Sequence, residues 1–298
     1  MIAVLMMAHG TPDSLDQMEA YLTRVRGGRP PSAELLEEMT GNYTAIGGRS
    51  PLTELTQAQA RAVESRLGEP FRVFVGMRNW RPYIEDAARE IADQGAEKCI
   101  GMPMAPQYSE LSVKKYLDEA RRFVPAECPL ELVQSWYDYP GLLDAFAEKV
   151  SLAQETWGAP GEVIFTAHSL PERVKDVPGP ESPPYPVQFQ RTAEGVARRV
   201  GLERFRIAYQ SAGRTPEPWL GPELSQVLTE LAGQGTKRVL VVPVGFVCDH
   251  TEILFDIDRQ AKAWAEELGI ELARTESLNT SPRFIEAVAD IIRSRVKS

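Results

Sequence analysis

Eight short runs of aliphatic and β-branched residues alternate with longer amphipathic stretches along the chain. The runs lie at 2–8, 71–77, 98–104, 130–134, 161–167, 204–210, 237–244 and 270–274. Between them the apolar positions recur with helical period, as in Leu52 to Leu67, Tyr83 to Gln94, Val113 to Phe123 and Leu142 to Thr156. Gln188 to Val200, Glu223 to Ala232, Glu252 to Leu268 and Pro282 to Val296 continue the pattern. A strand can join a parallel neighbour only through a crossover, and the usual crossover is a helix lying on the face of the sheet. The alternation therefore predicts an α/β protein with parallel sheets flanked by helices. At 298 residues the chain is long for one such domain and comfortable for two.

A faint internal repeat points to two similar halves. Ala8-His9-Gly10-Thr11-Pro12 recurs as Ala167-His168-Ser169-Leu170-Pro171. Phe71-Arg72-Val73 leads to Arg78 as Phe205-Arg206-Ile207 leads to Arg214. Cys99 to Pro103 leads to Ser109-Glu110-Leu111 as Val239 to Pro243 leads to Thr251-Glu252-Ile253. The matches keep their order, which suggests a division into 1–155 and 156–298, with Gly158-Ala159-Pro160-Gly161 as the junction. The last helix is expected to pack back on the first half. The Pro-rich stretch Pro178 to Pro186 should be neither helix nor central strand and should lie beside a cleft between the halves.

Composition excludes several function classes. A net charge of −9 lacks the basic footprint of nucleic-acid binding. No stretch approaches the roughly 20 apolar residues of a membrane span. Met1 to Leu5 runs straight toward His9 and reads as a first strand, not an export signal. Cys99, Cys128 and Cys248 form no C-x-x-C pair, and a reducing cytoplasm is expected.

All three histidines, His9, His168 and His250, follow strand-like runs. Ligands of open α/β sheets bind beyond the carboxyl ends of the strands, so this placement suggests a site. His168 reads either as a buried imidazole bonded to backbone or as a proton acceptor or metal ligand. Asp249-His250-Thr251-Glu252 fits a variant capping box. Yet Asp256 follows Glu252 by one turn, so both carboxylates share a helix face and could pass a cation inward. No closed metal motif occurs. Arg24, Arg26 and Arg29, with Asn42, Tyr43 and Ser50, form a second candidate surface suited to carboxylates. Ser50 before Pro51 also reads as a plain helix cap. Tyr43, Trp80, Tyr108 and Tyr116 could stack on a flat ligand or simply fill a core. Neither a P-loop nor G-x-G-x-x-G is present, which disfavours nucleotides.

These residues carry a resemblance. Ala8 to Pro12, Ile46-Gly47-Gly48-Arg49-Ser50-Pro51-Leu52, Glu85-Asp86-Ala87 and Ser135-Trp136-Tyr137 take part in it. So do Ala167 to Glu172, Gln210-Ser211, Pro218-Trp219-Leu220-Gly221-Pro222 and the block Val242 to Glu252. The chain resembles the ferrochelatases of the short bacterial kind, most closely the coproporphyrin ferrochelatases. The resemblance implies two Rossmann-like, chelatase-like domains, each a parallel sheet flanked by helices, with the active-site cleft between them. The first would bind the propionates and line the ring, and the second would carry the catalytic His and Glu.

The implied reaction is insertion of Fe2+ into coproporphyrin III in haem biosynthesis. His168 and Glu252 match the catalytic pair, and His168, Glu252 and Asp256 the path of the metal. His9, Arg26, Asn42, Tyr43, Ser50 and Tyr116 match substrate-binding positions. No permanently bound cofactor and no iron–sulfur cluster are implied, since none of the three cysteines matches the cluster-bearing extension of some relatives. The implied partners are coproporphyrin III, Fe2+ and a downstream haem-pathway enzyme receiving the product, with the chain itself a monomer. Three departures stand out. His9 replaces a Tyr, Asn42 replaces an Arg of the substrate site, and Gln260 replaces an outer acid of the ridge behind Glu252. Two other readings remain open: a non-catalytic tetrapyrrole or carboxylate binder, and a chelatase acting on protoporphyrin or another tetrapyrrole.

Overall fold

The computed structural model describes residues 1–296. The eight strands form where the aliphatic runs predict them, and they divide between two sheets. β1 (Ile2–Ala8), β2 (Phe71–Met77), β3 (Lys98–Pro103) and β4 (Leu130–Leu132) form one; β5 (Glu162–His168), β6 (Arg206–Gln210), β7 (Arg238–Val242) and β8 (Glu271–Arg274) form the other. The orders are β2-β1-β3-β4 and β6-β5-β7-β8, and every pairing is parallel. The two sheets thus have the same topology, with β5 in the place of β1. Residues 3–8 of β1 are all buried, with no alternation of polar and apolar positions. That is the pattern of a strand covered on both faces.

Helices make the layers. α1 (Met18–Val25) and α2 (Ala33–Ala45) form a small pair beyond the end of β1, packed through Met18, Tyr21, Leu22 and Tyr43. α3 (Leu52–Leu67) covers β2. α4 (Ile84–Asp93) and α5 (Val113–Phe123) cover the outer face of the first sheet. α6 (Pro140–Trp157) continues through residue 155 and packs on α7 (Tyr185–Arg199). α8 (Leu224–Gly233) covers the outer face of the second sheet. α9 (Thr251–Leu254), a π-helical turn at Asp256–Ala261 and α10 (Lys262–Glu267) follow β7, and α11 (Pro282–Val296) packs against α3 and α6.

One hydrophobic core joins the inner faces of both sheets. It unites Val4, Met6, Ile100 and Met102 of the first with Val163, Phe165, Leu240 and Val242 of the second, through side chains of α3, α6, α7 and α11. Three fully or nearly fully buried glutamines tie the halves further. Gln59 Nε2 donates to the carbonyl of Asn279 at 2.9 Å, and Gln107 Nε2 to that of Val244 at 3.2 Å. Gln188 satisfies both the N–H and the carbonyl of Tyr108, at 2.8 and 3.0 Å. A buried polar group costs much when it is stripped of its partner, so these contacts fix the relative placement of the halves.

Four expectations need correction. α1 and α2 were absent from the predicted helices. The stretch Glu252 to Leu268 is a short helix, a π-helical turn and a second short helix, with the Gln260 N–H bonded to the Phe255 carbonyl at 2.9 Å. The Asp249–Glu252 capping box does not form: His250 is the cap residue, without a side-chain cap bond, and both acids are engaged elsewhere. The Pro-rich stretch ends early, since Tyr185 and Pro186 open α7, and proline is well suited to a first helical turn. Among the described residues, no helix is long and apolar enough to cross a membrane.

Candidate active site

The site is built at the carboxyl ends of both sheets. β5 and β7 are neighbours, so the segments leaving them lie side by side. His168 closes β5, and Glu252 sits in the first turn after β7. His168 Nδ1 stands 3.0 Å from Glu252 Oε2, as a close charge pair lying off the line of a straight hydrogen bond. His250 Nε2 is 3.9 Å from the same oxygen, and its Nδ1 lies 3.0 Å from the Cys248 carbonyl. The side chains of His168 and Glu252 keep 34% and 37% of their accessible surface, so both face an opening.

Electrostatics binds the group together. Burial by itself would lower the pKa of His168, but the Glu252 carboxylate outweighs it and the net shift is upward. Burial would likewise raise Glu252, and the facing His168 instead holds it well below the ordinary carboxylate range. Asp256, one turn on, is raised to about 6 by burial and by the Glu252 charge; its carboxylate accepts from the Ser211 hydroxyl. Ser211 follows β6 with a left-handed φ of 60°. Gln210, beside it, donates from Nε2 to the carbonyl of Glu252 at 2.7 Å. The Tyr185 hydroxyl donates to the carbonyl of His168 at 2.9 Å.

The first half supplies the opposite wall. His9 leaves β1 as His168 leaves β5, and it feels the charges of Glu252, His168 and His250. Burial lowers its pKa to about 4, although the ring stays open to solvent on one side. Asn79 Nδ2 approaches its Nε2 at 3.1 Å, and the Tyr21 ring packs at 6.4 Å between centroids. Tyr43 pairs with Thr11 at 2.7 Å; its phenol is raised by burial, with hydroxyls of Thr11, Thr251 and Tyr21 offsetting part of the rise. Tyr116 is buried, pushed up to about 12, and senses Arg78 and Glu252.

The predicted residues are not all equivalent. His9, Tyr43, Tyr116, His168 and Asp256 all feel the charge of Glu252. Ser50 is buried just before α3, where its hydroxyl accepts from the Leu52 N–H at 3.4 Å; the cap itself is Pro51, one residue later than expected, and makes no side-chain cap bond. Arg26 stands exposed at the end of α1, and Asn42 is half-buried on α2. His168, Glu252 and Asp256 do not form a ready-made metal cage: among the described residues, no three His, Cys, Asp or Glu side chains are gathered to hold an ion. Shallow depressions beside the edge strands β2 and β6 contain none of these groups.

Tyr21, Asn79, Tyr185 and Gln210 escaped the sequence reading. Asn79 had a usable signal, since it follows β2 as His9 follows β1.

Among solved structures the fold is shared with Bacillus subtilis SirB bound to Fe3+. The TM-score is 0.60 at 13% identity, over 99% of this chain and 95% of that one. CbiX, the terminal enzyme of sirohaem biosynthesis in denitrifying bacteria, gives 0.54 at 13% identity, over 98% of each chain. The duplicated α/β fold is the one these two chelatases adopt. The profile of the ferrochelatase family matches residues 1–296. A ferrochelatase of Deinococcus radiodurans is 42% identical over 306 residues, covering 99% of this chain and 96% of that protein. A coproporphyrin III ferrochelatase of Halalkalibacterium halodurans is 37% identical over 307 residues, covering 99% and 97%. The chain belongs to the ferrochelatase family, the metal-inserting porphyrin chelatases of haem biosynthesis.

Proposed function

We propose that the protein inserts Fe2+ into coproporphyrin III, with His168 and Glu252 as the reacting pair. The observation that carries the pair is their 3.0 Å approach, with His9 close enough to feel both charges. The choice of ring is supported by relatives named coproporphyrin III ferrochelatases at 36–37% identity.

Insertion replaces two pyrrole N–H protons by one Fe2+. With Glu252 ionised, His168 tends to hold a proton. A cation approaching Glu252 competes with that proton for the same oxygen, so its arrival releases His168 as a base. His168, its own proton having left by way of Asp256 to solvent, then takes the two pyrrole protons in turn, passing the first out by the same route, while Glu252 attracts the metal as it loses water. Asp256 lies behind Glu252 with its pKa raised to about 6, suited to shuttling a proton or cation to the pair. Tyr43, Tyr116 and His9 line the ring, and Arg26, Asn42 and Ser50 lie toward the propionates. Fe2+ is substrate here, and no resident cofactor or iron–sulfur cluster takes part. We place the reaction in the cytoplasm, with the product passed on by a monomer to a later haem-pathway enzyme.

Anaerobic mixing of the protein with Fe2+ and either coproporphyrin III or protoporphyrin IX tests this reading. A haem-type spectrum formed faster with coproporphyrin III supports it. Faster turnover of protoporphyrin IX refutes the ring assignment, and a mere shift of the free-base bands with both refutes catalysis.

A further inference from the structure

Glu252 sits in the first turn of the helical segment that α9, the π-helical turn and α10 make together, where the cap residue His250 makes no side-chain bond. Ile253 and Ile257 anchor the buried face of this segment, so the aim of Glu252 at its start depends on what holds the flanking chain. Gln210 fixes one point, the Glu252 carbonyl. The flanks are fixed by Arg274, at the carboxyl end of edge strand β8.

Arg274 is mostly buried, its side chain only 15% exposed. Its Nε and Nη2 donate to the two carboxylate oxygens of Asp258 at 2.7 and 2.8 Å. Nη2 also stands 3.2 Å from Asp249 Oδ1, and Nη1 donates to the Thr275 carbonyl at 3.1 Å. Asp249 is held further by the Ser277 hydroxyl at 2.7 Å and Asn279 Nδ2 at 2.9 Å. One guanidinium therefore grips the chain on both sides of Glu252. It also sorts the acids of this region: Asp249 and Asp258 are neutralised behind the turn, whereas Glu252 and Asp256 are left to His168, Ser211 and an incoming cation.

We propose that Arg274 is a positioning residue for metal insertion, a two-sided clamp that keeps the Glu252 carboxylate within reach of His168. The proposal rests on the assignment of His168 and Glu252 as the reacting pair. The planar fork is needed because it meets both oxygens of Asp258 while still touching Asp249; a lysine ammonium keeps the charge but not that geometry. A carboxylate displaced by about 1 Å can cost on the order of a hundredfold in rate.

The test compares the full-length wild type with Arg274→Lys, Asp258→Asn and Glu252→Gln. Anaerobic Fe2+ insertion is measured with porphyrin titrations and thermal melts. D258N removes one arm only and guards against misfolding of the arginine variant. The expected result for R274K and D258N is kcat lowered about 10- to 100-fold with KM for porphyrin within about twofold of wild type. Turnover within about twofold of wild type in both, beside an inactive E252Q, overturns the clamp alone. A loss of kcat matched by an equal loss of porphyrin-binding sites makes Arg274 a folding residue and also overturns it. Wild-type turnover by E252Q overturns the pair assignment and the clamp with it.

Discussion

His168 Nδ1 lies 3.0 Å from Glu252 Oε2 because β5 and β7 are adjacent strands whose exits open on the same side. Each partner favours the charged form of the other: His168 is shifted up and Glu252 down. The stability that His168 contributes is full below its ordinary range and lost as pH rises through its raised folded value. That of Glu252 is present above the ordinary carboxylate range and lost as pH falls through its depressed value. The pair therefore supports the fold most between those two limits. The difference in Tm between wild type and H168Q should form a plateau there and shrink at both ends. A pH-independent difference would argue against the charge pair. In an NMR titration of the imidazole, E252Q should also move the His168 pKa downward.

His9 carries the opposite shift. Burial lowers its pKa to about 4, so near neutrality it is an uncharged imidazole with a lone pair to offer. The folded state then holds fewer protons than the unfolded state between about 4 and 6.5, and His9 costs stability as the solution is acidified. H9Q should lose less Tm than wild type between those pH values. If the lone pair meets the inserted iron, H9A shifts the visible spectrum of the bound product. Superimposable spectra would place His9 away from the metal.

Gly245 is pressed against the strand that carries His168. A Cβ there would fall 2.7 Å from both Cα and Cβ of Ala167, and the Gly245 N–H donates to Thr166 at 3.1 Å. Gly245→Ala must push on β5 next to the catalytic position. Overpacking of this kind costs about 1–3 kcal/mol. Urea unfolding should show that loss, and kcat should fall more than porphyrin affinity. Unchanged turnover would mean the strand yields without moving His168.

Gln188 is fully buried and bridges the halves through Tyr108 and the Ser135 hydroxyl. Q188L strands the Tyr108 N–H and carbonyl in the interior. The expected loss is about 2–4 kcal/mol in chemical denaturation, most of it the cost of orphaned polar groups. A loss below about 1 kcal/mol would show that water reaches the seam.

Most of the architecture could be read from residue patterns. All eight strands were visible as apolar runs, since strands buried on both faces need not alternate. The π-helical break was hidden by its own apolar pattern. Ile253, Ile257, Ala261 and Ala265 are all fully buried at steps of four. Such steps rotate about 40° past a full α-helical turn, and a wider turn returns them to one face. The strict spacing was the available clue. His168, Glu252 and His9 could be singled out because strand exits are few and histidines fewer. Gln188, Gln210 and Arg274 could not, because their partners are backbone groups or distant acids that leave no local pattern. The failed capping box has the same origin, since Arg274, Ser277 and Asn279 claim Asp249 from a later stretch of chain.

The buried glutamines and the core shared by both sheets leave no hinge between the halves. The opening between them cannot shut on its guest as a jaw would. Whatever bending insertion demands must then be borne by the macrocycle, and the finished product can depart by the route its precursor entered.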